Sequence, residues 1–159
     1  TIPVANWHKF WAEPMFSSIR NAWFRAVHNK LPTAASLNQI ILDFLPTSCC
    51  QLCHSMVDTL DHFLVTCPVR WSVWTRMWGP LFFCEPEAHA LIQIITKLDW
   101  HLLPTLSTRK YSATIQCTLL AIWRAYWSYI FDNTPFLPDA VARSTLSLIP
   151  KLLGSASDG

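Results

Sequence analysis

Cys50-Gln51-Leu52-Cys53-His54-Ser55-Met56-Val57-Asp58-Thr59-Leu60-Asp61-His62-Phe63-Leu64-Val65-Thr66-Cys67-Pro68 reads C-x₂-C-x₈-H-x₄-C, four soft donors within one short stretch. Three thiols and one imidazole in this arrangement are the inventory of a closed, tetrahedral zinc site. Cys50, Cys53, His62 and Cys67 are therefore the candidate metal ligands, with Zn²⁺ the cofactor. Cys49 offers an alternative to Cys50 in C-x₃-C spacing; C-x₂-C is the commoner half-site, so Cys50 is preferred and Cys49 stays open. Cys50 to His54 also matches C-x-x-C-H, the attachment motif of c-type haem, but that assignment leaves His62 and Cys67 without a purpose. Catalytic zinc needs an open position and a neighbouring carboxylate, and neither H-x-E with P-C-x-x-C nor H-E-x-x-H is present. The site is structural on these grounds, and no catalytic residue is assigned.

The same stretch fixes the local backbone. Asp58 is placed to cap a helix from Thr59, with Leu60, Phe63 and Leu64 facing inward and His62 on another side. Five residues separate His62 from Cys67, which on a continuous α-helix sets them about 140° apart. Pro68 resolves this: it biases Cys67 away from helical backbone and takes the first position of the next helix, leaving Cys67 where a helix dipole favours its thiolate.

Outward from the cluster, helical periodicity dominates and prolines act as punctuation. Ile19, Trp23 and Val27 form one apolar stripe over 16–31, capped by Ser17 or Ser18 and ended by Pro32. Residues 34–42 restart as a short helix with Leu37, Ile40 and Ile41 buried. Residues 68–78 form another, with Val69, Val73, Trp74 and Met77 or Trp78 inward, Arg70 and Arg76 in solvent, and Gly79-Pro80 closing it. Helices follow over 86–98, over 107–133 (Ile115, Leu119, Ile122, Tyr126 and Ile130 on one face), and over 138–148. The expected class is all-α: one irregular multi-helix domain over 1–150 with an embedded CCHC zinc knuckle at 49–68, and a flexible tail over 151–159.

Composition agrees. Of 159 residues 52% are apolar, including nine Trp and nine Phe, and only 14% are charged, which excludes a disordered chain and gives a core that does not need zinc to form. Cys117 to Phe131, the most apolar long run, is interrupted by Arg124 and is too short to span a membrane. Four of six cysteines crowd between Cys49 and Cys67, which suits metal better than disulfides and implies a reducing compartment. Cys84 and Cys117 read as buried free thiols. A first residue Thr1 and the absence of a signal segment suggest a fragment of a longer intracellular protein. The net charge of +2 is small, yet no acid occurs over 14–42 or 100–131, so local basic faces are expected.

Trp23-Phe24-Arg25-Ala26-Val27-His28-Asn29-Lys30-Leu31-Pro32-Thr33, then Cys50-x₂-Cys53, Asp58-Thr59, His62, Cys67-Pro68 and Trp74, resemble the zinc-binding region near the C-terminus of non-LTR (LINE-type) retrotransposon reverse transcriptases. That family reads W-[RK]-x-L-H-[NG]-x-L-P-T, then C-x₂-C, an E-T pair, H-x₄-C-P and a later Trp; Ala121 to Trp127 is similar to its W-x-I-W-K-x-R-N helix. The likeness covers roughly residues 16 to 136. Phe24 stands where a basic residue is common, Asp58 replaces Glu, and Tyr126-Trp127 replace Arg-Asn. The resemblance implies a non-catalytic, zinc-stabilised accessory module working in the nucleus, next to an upstream reverse transcriptase domain of the same chain. It would contact template RNA or target DNA during target-primed reverse transcription. Arg20, Arg25, Lys30, Arg70 and Arg76 are the candidate nucleic-acid contacts. The competing expectation is a structural or protein-interaction helical domain with no nucleic-acid binding of its own.

Overall fold

The computed structural model describes residues 1–40 and 47–157. Its elements are α1 (Val4–Ala12), α2 (Ser17–Val27), α3 (Ala34–Ile40), a π-helical turn (His62–Thr66), α4 (Pro68–Phe82), α5 (Ala88–Lys97), a 3₁₀ turn (Trp100–Leu102), α6 (Thr108–Asp132) and α7 (Pro138–Ser157). Among the described residues the only β pairing is an isolated antiparallel bridge between Cys49 and Val57. The expected all-α class is the one found.

Helix α6 is the axis of the fold. Every residue from Ser112 to Thr118 is buried, because α2, α4 and α7 all pack on it. Ile115, Ile122 and Tyr126 are buried as the periodicity requires, while Leu119 and Ile130 are only half-covered. Helix α2 crosses α5 and α6 and buries Ile19, Trp23 and Ala26, with Val27 half-covered. Its Trp23 indole donates to the Ile95 carbonyl at 2.8 Å, so the largest apolar side chain in the helix keeps its one polar group satisfied. The π-helical turn packs against both α4 and α5. The zinc-ligand stretch is thus walled in by helices rather than standing apart as an independent finger.

Several boundaries differ from those read off the sequence. Helix α1 is additional to the expected helices; Pro3 precedes it, Pro14 follows it, and Phe10 is its buried residue. Helix α2 begins after Phe16 with no side-chain cap, so neither Ser17 nor Ser18 caps it. It stops at Val27, before Pro32: Asn29 takes a left-handed conformation (φ 54°), and the Lys30 amide turns back to the Arg25 carbonyl at 2.7 Å. Thr33 and Ser36 cap α3 reciprocally, each side-chain oxygen accepting from the other's backbone amide. Leu37 is half-buried, and the expectations for the Ile40 and Ile41 side chains lie outside the described residues. Helix α4 runs through Gly79-Pro80 to Phe82, because Phe82 stacks on Tyr111 (3.8 Å, 10°) and contacts Trp78, anchoring a turn that Pro80 alone would end. Helix α7 continues past Leu148 to Ser157 and buries Ile149 and Leu152, so 151–157 carry on a helix in place of the expected tail. Cys84 is exposed rather than buried, and Cys117 is buried with its thiol pushed up to about 12 by burial. Among the described residues no helix is long and apolar enough to cross a membrane.

Candidate metal centre

Two short segments build the site. Residues 48–58 fold into a tight loop in which the Cys50 amide donates to the Met56 carbonyl (2.7 Å) and the Asp58 amide to the Ser48 carbonyl (3.0 Å). Within it the His54 amide closes on the Cys50 carbonyl at 3.0 Å, and His54 itself is left-handed. That turn lays the amides of Leu52 and Cys53 on the Cys50 sulfur, at 3.4 and 3.5 Å, a geometry that favours the thiolate. Cys49 is taken up by its bridge with Val57 and is not among the clustered donors.

The second segment is the π-helical turn. The Cys67 amide donates to the His62 carbonyl at 3.1 Å, an i→i+5 bond. The wider turn reduces the angular gap that five residues open on an α-helix, and Cys67 then departs with φ −55° and ψ 128°. Pro68 opens α4 as expected, but it shares the task of bringing His62 and Cys67 together with a π turn that the sequence does not announce. Thr59, not Asp58, caps this segment: its hydroxyl lies 3.4 Å from the His62 amide.

The Cys50, Cys53 and Cys67 sulfurs and a His62 ring nitrogen all lie within 4.8 Å of one another. Cys50 Sγ and Cys67 Sγ are 3.8 Å apart, too far for a disulfide, and Cys53 Sγ is 3.4 Å from His62 Nε2. A tetrahedron with ordinary zinc–sulfur and zinc–nitrogen lengths has an S···S edge of about 3.8 Å and an S···N edge of about 3.6 Å. The Cys50–Cys67 and Cys53–His62 separations match those edges, and all four donors are close enough to share one ion. Cys50, His62 and Cys67 are buried and Cys53 is half-buried, and four protein donors are the complement of a structural zinc site. As thiols, Cys50 and Cys67 are coupled: their mutual hydrogen bond lowers Cys67 to about 7, helped by the Arg70 and Val69 amides and the Arg70 charge. The same bond, with burial, raises Cys50 to about 12.

The candidate nucleic-acid contacts separate sharply. Arg70 is wholly buried, in an ion pair with Asp58 (3.0 Å) whose side chain is also wholly buried. This corrects the expectation that Arg70 meets solvent, and Asp58, expected to cap the helix from Thr59, is instead its buried partner. Arg20 is half-buried and donates to the Phe10, Trp11 and Glu13 carbonyls, closing the C-terminus of α1. Arg76 is exposed but paired with Asp139 and bonded to Ser72. Arg25 and Lys30 are exposed, with no ion-pair partner among the described residues. Sequence reasoning misses Arg70 as part of the metal site although the signal exists: Arg70, Val73, Trp74 and Met77 follow the i, i+3, i+4, i+7 stripe of a buried face.

No curated protein and no solved structure matches this chain. Residues 1–74, from the start of the chain to the Trp whose indole donates to the Leu64 carbonyl, match the family described as zinc-binding in reverse transcriptase. Donor set, site dimensions and family match agree on Zn²⁺, and the chain carries a zinc-binding module similar to that of reverse transcriptases.

Proposed function

We propose that this chain is the zinc-stabilised accessory module of a non-LTR retrotransposon reverse transcriptase, and that it contacts template RNA or target DNA during target-primed reverse transcription in the nucleus. The upstream polymerase domain of the same chain would be its working partner. The observation that carries the reading is the coincidence of a closed Cys₃His site with the match of residues 1–74 to the reverse-transcriptase zinc family. A closed site does no chemistry itself, so its contribution is to hold a surface in shape. The cations available on that surface are Arg25, in the last turn of α2, and Lys30, just beyond it. Phosphate contacts by such residues make binding fall steeply with salt.

Fluorescence anisotropy with labelled RNA and DNA oligonucleotides tests the reading. The zinc-loaded protein is expected to bind at low salt, with log K falling linearly against log salt, and Arg25→Glu with Lys30→Glu to weaken binding at least tenfold. No binding to either nucleic acid at low salt overturns it. One observation favours the competing reading of a protein-interaction domain. Trp11 (54% exposed) and Phe24 (37% exposed) join Trp7 and His28 in an aromatic group at the surface between α1 and α2. Concentration-dependent self-association abolished by Trp11→Ser, with indifference to nucleic acid, would decide for that reading.

A further inference from the structure

Arg70 lies in the first turn of α4, fully buried, and makes contacts that a merely space-filling residue does not need. Its Nη1 donates both to Asp58 Oδ1 at 3.0 Å and to Cys50 Sγ at 3.7 Å, the latter a length that the large sulfur radius allows. The guanidinium carbon stands 4.3 Å from the Phe63 ring centre and 5.0 Å from that of Tyr126, so it packs against both rings. Those rings meet edge to face at 5.0 Å and 84°. Arg70 Nε and Nη2, and Asp58 Oδ2, have no hydrogen-bond partner among the described residues.

A buried ion pair with open valences is expensive, and filling the space beside Phe63 and Tyr126 with an apolar side chain would cost less. A guanidinium can do what an apolar group cannot: donate to a thiolate. Zn²⁺ with three thiolates and a neutral imidazole carries a net charge of −1, and since Asp58 neutralises Arg70, what Arg70 brings to it is a directed N–H donor rather than net charge. Among the described residues, the other side chain outside the ligand set that donates to a ligand sulfur is Ser55, exposed and neutral, 3.5 Å from Cys53 Sγ. We propose that Arg70 is a positioning residue for the zinc: it donates to the Cys50 sulfur, is aimed by Asp58, and is kept from swinging away by Phe63 and Tyr126. Metal affinity and electron density on Cys50 then depend on a side chain that does not touch the metal, as outer-shell partners of metal ligands do.

The proposal rests on zinc filling the Cys₃His cluster, so native mass spectrometry of the unaltered protein comes first, and a zinc-free protein overturns both. Given one zinc, two variants are compared with the parent, each checked for helix content by circular dichroism: Arg70→Lys, which keeps the charge but loses the planar fork, and Arg70→Met combined with Asp58→Asn, which removes both buried charges. Zinc affinity, by competition with a chromophoric chelator, is expected to fall about 10–100-fold in the double variant and less in Arg70→Lys. The thiolate-to-metal charge-transfer band of the Co²⁺-loaded protein is expected to shift in both, which a purely structural role for Arg70 would not cause. Folded variants with parental affinity and superimposable Co²⁺ spectra overturn the proposal. Should both fail to fold, the unaltered protein loaded with ¹¹³Cd decides. A scalar coupling between cadmium and an assigned Arg70 side-chain N–H proton supports the inference, and its absence refutes it.

Discussion

Replacing Cys53 by Ser exchanges a thiolate for a weak neutral oxygen donor at the half-buried corner of the tetrahedron. His62→Ala removes a donor that is 2% exposed and leaves space behind it. Metal binding free energy is folding free energy when the unfolded chain has no assembled site. Either variant is expected to lose zinc and to lower stability by on the order of 4 kcal/mol, read as zinc content by native mass spectrometry and as a fall in urea midpoint. At this scale the ligands are legible in the sequence because soft donors at metal spacing seldom cluster unless a metal gathers them. Arg70 is legible only as a position on the buried stripe of α4; its charge is ordinarily a sign of solvent, and what overrides that is a partner twelve residues earlier, Asp58, that only the folded loop brings within 3.0 Å. In the sequence, the preference for Cys50 over Cys49 rests on half-site frequency; in the fold the reason is physical, since the Cys49–Val57 bridge directs alternate residues to opposite sides.

Helix ends are the least legible elements, since a terminus is decided by whatever packs on the last turn. Gly79-Pro80 looks like a stop, yet the stacking of Phe82 on Tyr111 carries α4 beyond it. The actual stop is Phe83, a non-glycine residue at φ 57° that is 90% exposed. A left-handed conformation costs an L-residue roughly 1–2 kcal/mol that glycine avoids, and little packing is lost at so exposed a site. Phe83→Gly is therefore expected to raise stability by about 1 kcal/mol and the melting temperature by roughly 2–4 °C, measured by thermal denaturation. The α5 N-terminus shows the converse, a boundary with a sequence signature: Glu87 accepts from the His89 and Ala90 amides. Helix α1, flanked by prolines at positions 3 and 14, carries a similar signature in punctuation rather than in periodicity, since Phe10 is its one fully buried residue.

For the molecule as a whole, the helical class follows from 3.6-residue periodicity and scarce glycine, whereas the layering around α6 does not. A helix buried continuously from Ser112 to Thr118 has no single apolar stripe to read, and its polar members bond within the helix, Gln116 to Ser112 and Thr118 to the Thr114 carbonyl. The π turn at His62–Thr66 has a consequence for the whole chain that follows it. A turn closed from residue i to i+5 is an α-turn holding one surplus residue, so it works as a phase compensator: shortening it by one returns i→i+4 closure and leaves the azimuth of α4 nearly unchanged. His and Cys at i and i+4 lie about 40° apart on an α-helix, still on one side. Thr66 is the exposed member of the turn and can be removed without emptying the core. A chain lacking Thr66 is expected to retain zinc and folded helix content, whereas one lacking Ser72, in the unbroken α4, shifts everything beyond it by about 100° and is expected to lose both. Metal analysis and circular dichroism of the two deletions check this. The interval between the last two ligands is on this view elastic by one residue, and the phase of the helices around it is not.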